Sequence, residues 1–378
     1  MKTTLEIFTS HILARSLGAL LILYLYLYDE KLLAIYSVKF STLHIFALIV
    51  KFGFGQKIFR DSTSDLKSGA VSLRKYNSFF YTFIILSIIV NIIFPSPIIS
   101  LTVMMIAFSS VRFAYLMGCG KMKIAIFLEF TLPIIIIFIL IFFRVINNIE
   151  HILFAAYLPS FFMVVFLLGK FDYIRSERIN ASDIWSGTYF FLSSLTSQLN
   201  SHIVILLFNS NFTYEYVSNV RLAQVLATPL QLVNVSFATA FQKLANGDYK
   251  FVDAKYEKKY LMTGFLMTLI IFTLLLISQH FNFYSNVNYE LILQFFIAFV
   301  SLYLIRILFR FSDTRLLIAQ REDLIFKFNF IITIIILLFG SLLSFAELPL
   351  AAFICLNIAP LLLVSCCSIW TSHYDAKL

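Results

Sequence analysis

Charge is what this chain has least of. Only 13% of its 378 residues are Asp, Glu, Lys or Arg, against about a quarter in a soluble domain, which excludes an ordinary globular protein of this length. Catalytic motifs are missing too. There is no Walker loop, no H-E-x-x-H, no DxD-like acidic metal cluster and no nucleophile elbow. The largest loop between apolar runs, roughly 51–77, is too short for a domain. A membrane glycosyltransferase or polymerase needs acid/base residues in a sizeable solvent-facing domain, and this pattern offers neither. Four cysteines (Cys119, Cys355, Cys366, Cys367) show no metal or redox spacing and read as small, soft packing residues. The stretch KFGFGQKIFR (51–60) has two glycines among cations. It has neither the G-x-G-x-x-G spacing nor a following Lys-Ser or Lys-Thr, so it is no nucleotide loop.

What is there is hydrophobic. Apolar residues make up 60% of the chain, 44 of them Phe, and the mean hydropathy is +0.90. Runs such as LPIIIIFILIFF (132–143) carry no charge until Arg144. Lipid is therefore the solvent for most of the chain. A spanning helix needs about 20 largely apolar residues, and lipid forbids unpaired backbone. The runs predict twelve helices, over 10–28, 32–50, 78–94, 98–118, 124–143, 152–169, 186–208, 216–241, 260–279, 290–311, 323–340 and 350–370. The first ends in Asp29-Glu30 with no small-residue cleavage site and is expected to be a helix, not a signal peptide. The net charge of +9 reports topology before it reports nucleic acid, and no nucleic-acid partner is expected. Lys51, Lys57, Arg60, Lys67, Arg74 and Lys75 lie on one side with the basic residues of every second loop, while the opposite loops hold only Lys31 and Arg144. Both termini are expected to be cytoplasmic.

The chain echoes itself. GQKIFRDSTSDLKSGAVSLRKY (55–76) follows the second span and FQKLANGDYKFVDAKYEKKY (241–260) follows the eighth. This predicts an all-α polytopic membrane protein with about 12 transmembrane helices, in two parallel six-helix halves (1–183 and 184–378) around a central cavity.

Six basic residues fall inside the predicted spans: Arg15, Lys39, Arg112, Arg221, Arg306 and Lys327. Each costs about 2.5–3.5 kcal/mol on insertion scales unless it snorkels or faces a polar interior. Lys327 is near a span end and snorkels; Arg15 and Arg306 lie within one or two turns of an end, where snorkelling and cavity lining compete. Lys39 is too deep for easy escape. Arg221, in VSNVRLAQVLATPLQL, shares a polar stripe with Ser218, Asn219, Gln224 and Thr228, as a cavity-facing surface would. Arg112 and Glu129 are at matching depth on consecutive antiparallel spans, which predicts an ion pair. Glu129 is the only acidic residue expected in the membrane interior, and His44 and His202 lie within spans. Any of the three could carry a coupling ion or proton; a hydrogen-bonded packing role is the alternative for each histidine. Pro133, Pro159, Pro229 and Pro360 are expected to kink their helices. The excess of cations points to an anionic cargo.

Three stretches carry a resemblance: FGFGQKIFRD (52–61), WSGTYFFLSSLTSQLNSHIVILLF (185–208) and EYVSNVRLAQVLATPLQLVNVSFATAFQKLANGD (215–248). With twelve helices in two halves, the chain resembles the multidrug/oligosaccharidyl-lipid/polysaccharide (MOP) exporter superfamily, and within it the O-antigen (Wzx-type) flippases. The resemblance implies a polyprenyl-pyrophosphate-linked oligosaccharide repeat unit, flipped from the cytoplasmic to the outer leaflet of a bacterial inner membrane by alternating access. It implies that Lys39, Arg112, Arg221, Arg306 and, more weakly, Arg15 meet the anionic cargo. It also implies no bound cofactor but a proton or sodium gradient. Ser201-His202-Ile203 stands where relatives often carry an acidic residue, which leaves the ion open. The expected partners are the lipid-linked oligosaccharide, membrane lipids, and a polysaccharide polymerase and chain-length regulator. A multidrug exporter of the same fold, a membrane polymerase or ligase, and a non-transporting scaffold are the alternatives.

Overall fold

The computed structural model describes residues 2–77, 96–144, 148–167, 213–231, 254–280 and 289–318, and isolated positions elsewhere, with the backbone alone at 2–11, 254–257, 308–318 and a few other positions of the last two helices. The expected spans 78–94, 323–340, 350–370 and most of 186–208 lie outside the described residues, as does most of the second loop echo, 241–260. Nine helices are described from end to end: α1 (Lys2–Tyr28), α2 (Glu30–Lys51), α3 (Phe54–Ser64), α4 (Pro97–Gly118), α5 (Met122–Phe142), α6 (Ile149–Leu167), α7 (Tyr214–Leu226), α8 (Ala254–His280) and α9 (Tyr289–Ile318); a further helical stretch covers 66–77. Among the described residues, α2, α4, α5 and α6 are long and apolar enough to cross a membrane. Ile12–Tyr28 and Tyr289–Ile305 are shorter apolar helices.

Local chemistry sets the boundaries. The Asp29 carboxylate accepts from the Leu32 N–H at 3.0 Å and starts α2, whose first turn holds Glu30 and last turn Lys51, both favourable to the helix dipole. Phe52 and Gly53 take left-handed backbone (φ 43° and 72°), and this reverses the chain into α3. Ser96 caps α4 and Pro97 opens it. In α5, Phe127–Thr131 forms a π turn in which the Leu132 N–H reaches the Phe127 carbonyl. Pro133 explains it: a proline has no N–H for the carbonyl four residues back and clashes with it, and the wider turn absorbs the defect. The predicted span 216–241 is interrupted: α7 ends at Leu226 and Ala227 is a turn, two residues before Pro229.

The chain divides into two compact units. One comprises 13–21 and 38–202. Within it α4 packs on α3 and α6, and α5 on α6, around Phe54, Ile58, Tyr76, Val111, Phe113, Leu128 and Val164. Gly69 and Gly118 let two backbones close on Ser62; a Cβ at either would overlap that residue. The other unit comprises 1–12, 22–37 and 203–378. There α9 packs on α7 and α8, and Phe295, Phe296, Phe299, Leu302, Tyr303, Val217, Val220 and Ala223 are buried.

Candidate functional site

In the first unit, three polar groups follow one another along α2. The first is an ion pair. Lys39 Nζ donates to Glu150 Oε1 at 2.6 Å, and Ser96 Oγ donates to Glu150 Oε2 at 2.7 Å. The Cα–Cβ bond of a helical residue tilts toward the helix N-terminus, so Lys39 extends toward the Glu30 end of α2, where Glu150 sits in the first turn of α6. The span expected over 152–169 leaves Glu150 in a loop and Glu129 as the only interior acid; the helix in fact starts at Ile149 and includes Glu150.

The second group is a pair of histidines. The rings of His44 and His202 stack with centroids 5.7 Å apart and an interplanar angle of 4°. His44 Nε2 is 3.2 Å from the Tyr157 hydroxyl of α6, and His202 Nδ1 is 3.1 Å from Ser41 Oγ. Phe40 packs on His44 with centroids 4.3 Å apart. His202 is buried and His44 partly so. Two histidines expected singly are brought into contact.

The third group corrects an expectation. Glu129, in the π turn, has Lys51 as its electrostatic partner; Arg112 does not pair with it. Arg112 is fully buried, donates from Nη2 to Asn77 Oδ1 at 2.7 Å and from Nη1 to the Phe108 carbonyl at 3.1 Å, and lies over the Phe108 ring. Matching depth was not enough: the Arg112 side chain runs back along its own helix. Arg15 is partly exposed, with its guanidinium 6.0 Å from the Phe130 ring centroid.

In the second unit, the α7 stripe is polar as expected but mostly buried. Asn219 Oδ1 accepts from the Tyr26 hydroxyl at 2.9 Å, Ser218 Oγ donates to Glu30 Oε1 at 2.8 Å, and Ser218, Asn219 and Gln224 are buried. Arg221 is partly exposed and donates from Nη1 to Gln224 Oε1 at 2.6 Å. The Arg306 side chain lies outside the described residues.

A fourth cluster, beyond the spanning segments, was missed altogether. Lys57 is bound to Asp61 (3.0 Å) and Asp183 (3.7 Å), and Lys75 to Asp183 (2.8 Å). Ser72 also donates to Asp61. Burial pushes the Asp183 carboxyl up, but hydrogen bonds from Lys75 and the Asn180 N–H, with the charges of Lys75 and Lys57, hold it below its ordinary range. Lys57-x-x-x-Asp61 was a readable i,i+4 pair.

No family model matches the chain, and no curated protein matches it. Solved structures do. An outward-facing multidrug resistance MATE family transporter of the MOP superfamily superposes with a TM-score of 0.68 at 12% identity, over 100% of this chain and 96% of the other. MATE in a bent conformation superposes with 0.65 at 11% identity, over 99% and 93%. A MOP superfamily transporter from Pyrococcus furiosus Vc1, whose reversed binding-pocket polarity suggests a different function, superposes with 0.61 at 14% identity, over 100% and 96%. The chain therefore shares the all-α fold of these structures, with about 12 helices.

Proposed function

We propose that this chain is a secondary transporter that moves an anionic, polyprenyl-pyrophosphate-linked oligosaccharide from the cytoplasmic to the outer leaflet of a bacterial inner membrane by alternating access. Both termini are cytoplasmic, and the two six-helix halves, 1–183 and 184–378, carry the motion. The observation that carries the reading is the placement of Arg15 and Arg221, partly exposed, on helices of a MOP-type fold. A guanidinium binds a phosphate through paired, charge-assisted hydrogen bonds, while the lipid tail of such a cargo can stay in the bilayer. Arg306 serves the same cargo. Lys39 acts through its pair with Glu150, and Arg112 holds its helix through Asn77 and Phe108. The chain-length regulator and polymerase of the same pathway are its partners, and an ion gradient drives it.

Multidrug transport is the second reading, favoured by the MATE neighbours. A cationic drug needs an available carboxylate, and Glu150 and Glu129 each face a lysine. Deleting the gene and analysing lipid-linked intermediates decides between them. Single repeat units trapped on the cytoplasmic face are the expected result. Exposed but unpolymerised units would indicate a polymerase and overturn the proposal, as would unchanged intermediates with lost drug resistance. Arg221→Ala should abolish flipping at normal abundance.

A further inference from the structure

We propose that His44 and His202 form one proton-binding site in which two stacked imidazoles share a single positive charge. The geometry is specific. The rings are parallel within 4° and 5.7 Å apart, so a proton on one places its charge directly against the other. At that spacing and an effective permittivity of about 20, repulsion suppresses the doubly protonated state about a hundredfold. The pair therefore cycles between zero and one proton.

The hydrogen-bond partners suit such a cycle. Tyr157 and Ser41 present hydroxyls, and a hydroxyl donates to a bare ring nitrogen or accepts from a protonated one by rotating. Unlike a carboxylate, neither hydroxyl fixes a charge on the ring it meets. Phe40 packs against His44 at 4.3 Å and approaches His202 at 6.3 Å, and an aromatic face favours a neighbouring cation.

On α2 the ionisable neighbours are Lys39 and Lys51; on α6 they are Glu150, His151 and Tyr157. Lys39 is neutralised by Glu150 and Lys51 faces Glu129, while His151 is exposed. Lys39 precedes His44 by five residues and Lys51 follows it by seven, roughly 7 and 10 Å along the axis at 1.5 Å per residue. The histidine pair thus meets α2, at His44, between the Lys39–Glu150 ion pair and Lys51, whose opposing charge is Glu129. Its service as the coupling ion of transport rests on the reading proposed above; its proton count does not.

The test is carbon-13 NMR of the full chain in detergent, labelled in its six histidines and titrated over the range in which imidazole titrates, roughly pH 8 to 5. His11→Gln, His151→Gln, His280→Gln and His373→Gln assign the other four signals. The His44 and His202 signals should together account for one proton. In His202→Gln, His44 should take that proton alone and titrate to completion. Two full protonations in the wild type, no protonation of either ring, or a His44 curve unchanged by His202→Gln would each overturn the proposal. The wild-type count decides even if that variant fails to fold. A one-proton pair in a chain that fails to flip lipid-linked oligosaccharide would sink the transport reading and leave the site standing.

Discussion

Replacing Asp183 by Asn removes one negative charge and almost no volume, and the Asn180 N–H keeps an acceptor. The carboxylate meets Lys75 at 2.8 Å and Lys57 at 3.7 Å. At an effective permittivity of about 20 those separations correspond to gross attractions of about 6 and 4.5 kcal/mol, upper bounds that desolvation largely offsets. Removing one member of a buried ion pair costs about 3–5 kcal/mol when the other is left uncompensated. Lys57 keeps Asp61, and the Lys75 side chain is 19% exposed, so the low end applies. We expect a loss of about 3 kcal/mol, read as a fall of about 3–6 °C in thermal unfolding in detergent. A double-mutant cycle with Lys75→Met should recover about half of it, because the methionine no longer needs a partner. The pH dependence follows from the sign of the shift. The folded-state pKa of Asp183 is depressed, so its stabilisation is fully present above the ordinary carboxylate value, near about pH 4, and is lost as pH falls through the lower folded value. The wild type should therefore lose this stability only below about pH 4, and Asp183→Asn should flatten that limb. A variant as stable as wild type at pH 7, or additive with Lys75→Met, would refute the cluster's role.

Two further outcomes are accessible to the same unfolding assay. Gly118→Ala drives a methyl into Ser62 and should cost about 1–3 kcal/mol, partly restored by Ser62→Gly; an unchanged melting point would show that this contact is looser than described. Arg112→Ala should cost about 2–4 kcal/mol through lost packing and the stranded Asn77 acceptor, and Glu129→Ala should not rescue it. Rescue would restore the ion pair expected from depth alone.

The helices were legible because each long apolar run admits only one backbone solution in lipid; α2, α4, α5 and α6 begin and end within a few residues of their expected limits. The partners were not legible. Lys39 reads as a lone deep cation until α6 is seen to start at Ile149 and to include Glu150. Had Glu150 been set seven residues before Tyr157, on the same helical face, the shared polar edge of α6 would have been readable. Nothing in the chain pairs His44 with His202, since that contact is made by packing between distant segments. Lys57 marks topology in the sequence and is a buried ion-pair member in the structure, a partnership that its spacing to Asp61 announces.

The π turn around Glu129 has a consequence for counting. A turn of five carries one residue more than the helix on either side needs, so α5 has two phases, one before Phe127 and one after Thr131. A heptad frame that is right for Ala125 and Leu128 points the wrong way at Ile137 and Ile141, though all four are buried. Deleting a single residue between 127 and 131 would make the helix regular and turn one of its halves out of the core. The carboxylate thus sits at the joint where the two frames meet, a position that no uniform helical period can describe.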